Sequence, residues 1–102
     1  MAQKETLTLR GEAIHDRASF YEEVTNVILN GNSDWGKNLD AFNDVLRGGF
    51  GSPPGGFNLI WQNHATSKQA LGDHLFNTIV EIIQDHGPGG EEADDGVVLV
   101  LD

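Results

Sequence analysis

Polar and apolar residues alternate from Thr6 to Arg10 (TLTLR), the pattern of a short strand, and Gly11 stops it. The period then changes. Phe20, Val24, Val27 and Ile28 recur at helical spacing until Asn30-Gly31, and Ser19 with Glu22 three residues on makes a capping box, which predicts a first helix over Ser19 to Leu29. Asn38 can cap a second helix in which Leu39, Phe42, Val45 and Leu46 face inward and which Gly48-Gly49 ends. Gly48 to Gly56 (GGFGSPPGG) is a loop by composition, because glycine and proline penalise both regular structures. Phe57 to Trp61 then predicts a buried strand and His64 to Leu71 a short helical piece. Asp73 can cap a longer helix carrying Leu75, Phe76, Ile79, Val80, Ile82 and Ile83 and ending at Gly87-Pro88. After an acidic loop, Val97 to Leu101 is apolar throughout, which predicts a strand covered on both faces.

This order of elements predicts an α/β fold, a three-stranded, mainly parallel sheet packed with about four helices, in a single domain over residues 1–102. A chain of this length buries roughly 60 to 65% of its unfolded surface and has little room for a large enclosed cleft. The N-terminus has no basic start followed by an apolar stretch, and no apolar run approaches membrane-spanning length. A soluble, cytoplasmic protein without membrane contact is expected.

Charge narrows the partners. Sixteen acidic residues against six basic ones give a formal net charge of −10, with no basic tract, so direct binding to nucleic acid is disfavoured. The same field speeds encounter with a basic partner, although acidity alone is also a common route to solubility. Cysteine is absent, which removes disulfides, thiol nucleophiles and thiolate metal sites. His15, His64, His74 and His86 are scattered without metal-site or nucleophile spacing, and each reads as a lone surface histidine. Asn30, Asn32 and Asp34 mimic the opening of a calcium loop, but Trp35 and Ala41 stand where it needs glycine and glutamate. The glycine loop lacks the ending of a phosphate-binding loop. No metal and no cofactor is expected.

The candidate chemistry lies in Asp34 to Leu46, DWGKNLDAFNDVL. Asp40 and Asp44, four apart on a helix, stand on one face with Cβ atoms roughly 6 Å apart. Taken alone, such a pair is more often a solvated face, here with Arg47 three residues on to neutralise it. A small acidic hydrolase using the two carboxylates as acid and base is one alternative. Weak calcium binding by Glu91, Glu92, Asp94 and Asp95 is another.

The order Trp35, Gly36, Lys37, Asn38, Leu39, Asp40, Ala41, then Asp44, with Ser67 to Gln69 (SKQ) after the middle strand and a closing apolar strand, resembles the barstar family. These are bacterial protein inhibitors of barnase-type ribonucleases. The resemblance implies a barstar-like fold and a cytoplasmic, non-enzymatic inhibitor of a basic, guanyl-specific microbial ribonuclease, monomeric when free and bound one to one. It implies that the helix with the two aspartates enters the ribonuclease active site, Asp44 taking the place of the RNA phosphate with Asp40 beside it. Trp35, Gly36 and Asn38 would form the contacting loop, the ring packing on the enzyme and the glycine allowing close backbone approach. Asp85 aligns with an acidic residue near the end of the last long helix. Asn43, between the two aspartates, stands in the interface where the family has a bulky aromatic. Asp34 also replaces an aromatic, Lys37 an acidic residue, and Phe50 can stand in for another aromatic. The loops Gly48 to Gly56 and Gly87 to Gly96 are longer than in the best-known member. Within binding proteins, the alternative is an immunity protein against another toxin nuclease.

Overall fold

Alternation along the strands decides which way the sheet faces. In this computed structural model, which describes residues 4–53 and 55–102, strand β1 is Glu5–Arg10, β2 is Phe57–Gln62 and β3 is Val98–Leu101. They form one parallel sheet in the order β1-β2-β3, with Leu7 opposite Leu59, Leu9 opposite Trp61, and Leu59 opposite Leu99. Leu9, Phe57, Leu59 and Trp61 are buried on the helix-covered face, while Thr6, Thr8 and Arg10 point to solvent from the other. The expectation of a closing strand covered on both faces is therefore corrected. Val100 is 46% exposed, because β3 is an edge strand and its outer face has no layer over it. An apolar run marks a strand but does not say how many faces are covered.

The helices are α1 (Arg17–Glu23), α2 (Leu39–Leu46), α3 (His64–Leu71) and α4 (Asp73–Asp85). Helix α1 starts earlier than its sequence suggests, since the cap is Asp16 and not Ser19. Asp16 Oδ1 accepts from the Ser19 amide at 2.8 Å and Ser19 Oγ accepts from the Asp16 amide at 3.0 Å, a closed reciprocal box. Those bonds hold the Asp16 carboxyl below its ordinary pKa, the Ser19 hydroxyl first among them. The helix also ends sooner, because Val24–Ile28 widens into a π turn. Just there Thr25 donates its hydroxyl back to the Tyr21 carbonyl at 3.0 Å. Asn38 caps α2 as expected, its Oδ1 accepting from the Ala41 amide at 2.7 Å. Asp73 does not cap α4. Gly72, at φ +88°, occupies that position, and Asp73 lies in the first turn, where its charge complements the helix dipole.

Aromatic rings tie the helix layer to the sheet. Phe20 of α1 meets Phe42 of α2 edge-on at 5.1 Å and stacks on Trp61 of β2 at 5.9 Å, and Trp61 in turn contacts Phe76 of α4 at 5.0 Å. Such pairs add about 0.5–1.5 kcal/mol each beyond simple burial. Trp61 also carries a buried polar hydrogen, which Ser67 satisfies. The indole N–H donates to Ser67 Oγ at 3.0 Å, and that hydroxyl donates to the Gly11 carbonyl at 2.8 Å. Ser67 is fully buried, so Ser67→Ala leaves the indole donor without its partner, while the Gly11 carbonyl keeps only the Ile14 amide at 3.1 Å. A loss of about 1–3 kcal/mol is expected in urea unfolding. An unchanged midpoint would mean that the bridge contributes nothing.

Candidate functional site

Three residues carry the chain from the core to the surface. Trp35 is 1% exposed; its ring meets Tyr21 edge-on at 5.6 Å and its N–H donates to Thr25 Oγ1 at 2.8 Å. The expectation that this ring packs on a partner is corrected: the indole is spent inside the molecule, where it anchors the segment. Gly36 (φ +81°) and Lys37 (φ +49°) then turn the backbone through the left-handed region, and Asn38 returns it to an extended conformation before α2. The positive φ is what calls for glycine at Gly36, and a Cβ there would also sit tightly, 3.3 Å from the Ala41 Cβ. Gly36, Lys37 and Asn38 are left exposed.

Helix α2 is sharply two-sided. Phe42, Val45 and Leu46 are buried, while Asp40 and Asp44 face solvent on the opposite stripe. Among the described residues Asp40 has no ion-pair partner. Asp44 has one, Arg47, whose Nη1 lies 2.9 Å from Asp44 Oδ1. Arg47 reaches further still, placing Nη2 and Nε 2.8 and 2.9 Å from Glu92 Oε1. These bonds raise the guanidinium pKa above its ordinary value, Glu92 contributing most and Asp44 less.

The end of α4 is fastened beside α2 through a side chain that sequence reasoning placed at the surface. His86 is fully buried, its Nδ1 2.6 Å from Asp95 Oδ2 and its Nε2 in close contact with Asn43 Oδ1. Asn43, half-buried, thus turns its Oδ1 to His86 and clasps α2 to the end of α4. The loop after α4 folds tightly onto the helix end. The Glu92 amide donates to the Asp85 carbonyl at 2.8 Å, and a Cβ on Gly90 would come within 2.3 Å of that same oxygen. Asp85 is half-buried, and its Oδ1 accepts from the Glu91 amide at 3.3 Å. Gly36, Asn38, Asp40 and Asp44 therefore line the exposed side of α2 and its approach, whereas Asp85 is tied into the neighbouring loop.

Arg47, Glu92, Asp95 and His86 entered the sequence reading only separately, as a local neutraliser, members of an acidic loop and a lone histidine, and nothing in the sequence joined them. Their partners lie 45, 43 and 9 positions away, and only the turn of the α4–β3 loop brings Glu92 and Asp95 to α2. His86, Glu92 and Asp95 offer ligand atoms within 4.8 Å of one another, the spacing of a metal site. Yet both ring nitrogens already face oxygen partners and Glu92 already carries the Arg47 guanidinium, so the group reads as a hydrogen-bond network. An open groove of about 520 Å³ between the end of α4 and β3 takes none of its lining from α2. Its walls include Glu81, Asp85 and Val97. What remains chemically at α2 is a pair of exposed carboxylates on a rigid, well-capped helix, suited to meeting cations.

No helix among the described residues is long and apolar enough to cross a membrane. No curated protein matches the chain. One family model does, that of barstar (barnase inhibitor), and since it spans residues 4–102, nearly the full length, the chain belongs to the barstar family.

Proposed function

We propose that this protein is a non-enzymatic, cytoplasmic inhibitor that binds one to one in the active site of a basic, microbial-type ribonuclease, Asp44 standing where the RNA phosphate would sit. The observation that carries the reading is the presentation of Asp40 and Asp44, exposed on a helix whose other side buries Phe42, Val45 and Leu46. A ribonuclease that cleaves by transphosphorylation gathers Arg, Lys and protonated His around a phosphate. A carboxylate on a stiff support can accept from several of them at once. Rigidity matters because the ordering cost is met on folding and not on binding. The buried Trp35, the left-handed turn at Gly36-Lys37 and the Asn38 cap supply that rigidity at one end of α2. The Asn43–His86 contact supplies it at the other.

Family membership supports the partner class, and net charge supports its sign. Asp85, half-buried beside the loop, is a supporting contact in this proposal. Adding the protein to barnase at one equivalent should abolish RNA cleavage. Raising salt from about 0.05 to 0.5 M should slow association far more than it speeds dissociation, since steering is what ions screen. Full ribonuclease activity at several equivalents, with barnase and with other basic guanyl-specific enzymes alike, would end the proposal.

A further inference from the structure

We infer that Arg47 is an internal competitor for the inhibitory site: in the free protein its guanidinium holds the place at Asp44 that a cation of the enzyme takes in the complex, with Glu92 as its resting place. The inference rests on Asp44 being the docking carboxylate. Its geometric basis is the unequal sharing of one guanidinium between two acids. Glu92 Oε1 receives two nitrogens, Nη2 at 2.8 Å and Nε at 2.9 Å, whereas Asp44 Oδ1 receives one, Nη1 at 2.9 Å. Arg47 can therefore let go of Asp44 and remain held. Its place at the end of α2, the backbone N–H bonded to the carbonyls of Asp44 and Val45, keeps the side chain within reach of both.

The ion pair lies in water, with Asp44 57% and Arg47 45% exposed in their side chains, so breaking it costs little. Small as it is, every cation that takes Asp44 must meet it. A lone lysine on a passing protein exchanges one ion pair for another at Asp44 and gains almost nothing. An enzyme pocket with several converging cations outbids Arg47, and the displaced guanidinium stays neutralised by Glu92 and is not left as a bare positive charge facing a basic enzyme. Arg47 thus lowers the affinity of Asp44 for any cation by the same small factor, which a multiply cationic pocket overcomes most readily, and Glu92 keeps the displaced guanidinium neutralised. This gives a role to the acidic loop after α4, which the docking of α2 alone does not need.

The test replaces Arg47 by Met and compares it with Arg17→Met, an exposed arginine on α1 whose loss changes net charge equally. Two probes are used, barnase, read by inhibition, and an oligoarginine peptide, read by NMR shifts at Asp44. Arg47→Met should tighten both by about two- to fivefold, the range of an exposed ion pair, and Arg17→Met should not. The gain should vanish in an Asp44→Asn background. Equal effects of the two substitutions, a gain that survives Asp44→Asn, or weaker binding by Arg47→Met would each overturn the inference. If the unaltered protein leaves barnase fully active, the inhibitor reading loses support, while the peptide arm still decides the part played by Arg47.

Discussion

Asp44→Ala is expected to weaken inhibition of a barnase-type ribonuclease by roughly 30- to 5,000-fold, corresponding to about 2–5 kcal/mol for one member of a desolvated charge pair. Barnase–barstar pairs are among those that define this range, so the magnitude is borrowed from the family. Folding stability should hardly move, because the side chain is 57% exposed and its pairing with Arg47 is screened by water. The two readouts together separate a docking residue from a structural one. In free solution the carboxylate is hydrated and its local attraction to Arg47 nearly cancels against that hydration. Inside an enzyme pocket the water is gone, several donors converge, and removing the carboxylate leaves their charges unanswered. Asp44→Asn, which keeps the shape and loses the charge, should recover only a minor part of the lost affinity. An Asp44→Ala protein that melts normally and inhibits as well as its parent, at matched ionic strength, would sink the assigned mechanism.

The parts of this molecule that were legible from sequence are those governed by neighbours along the chain. Strand alternation at Leu7 and Leu9, the inward stripe of Phe42, Val45 and Leu46, the Asn38 cap and the stop at Gly48 all follow from spacing and local hydrogen bonding, and all stand in the structure. The errors arose where two local signals competed or where the deciding partner was remote. Ser19 and Glu22 fit a capping box on paper, but Asp16 fits a better one with the same serine. Asp73 looked like a cap, yet a glycine with positive φ had already taken the turn. The apolar closing strand gave no sign of lying at an edge, a property of the whole sheet and not of the segment.

The site divides the same way. Placing Asp40 and Asp44 on one face needed only the helical repeat. The burial of His86 depended on an asparagine from α2 and an aspartate from the next loop closing around it, and no short motif encodes that meeting. Asn43 and His86 are separated by 43 positions but sit one residue from Asp44 and Asp85, so the clasp sets the relation between the two acidic positions without using either carboxylate. The Arg47–Glu92 pair is equally remote in sequence. Its consequence is electrostatic: the loop that the sequence marked only by its length and acidity is joined to α2.

Trp35 is the residue on which the sequence and structural views part most clearly, and its replacement should reveal which is right. Trp35→Ala is expected to cost about 3–5 kcal/mol of stability, since it empties the volume of one of the two largest side chains in a packed core. For a domain whose total is about 5–15 kcal/mol, that brings unfolding close to working temperatures. Any loss of inhibition in that variant confounds folding with contact. Trp35→Phe keeps a ring against Tyr21 and forfeits the hydrogen bond to Thr25, a loss of about 1–2 kcal/mol. The Phe variant should therefore show a lower denaturation midpoint but an inhibition constant within about twofold of the parent when both are fully folded, on the additive view of independent sites. If the indole instead packed on the enzyme, the order would invert, with stability kept and inhibition lost. The structure favours the first result because a side chain 1% exposed has almost no surface left to offer a partner, and its packing fixes where Gly36 to Asn38 leave the core for α2.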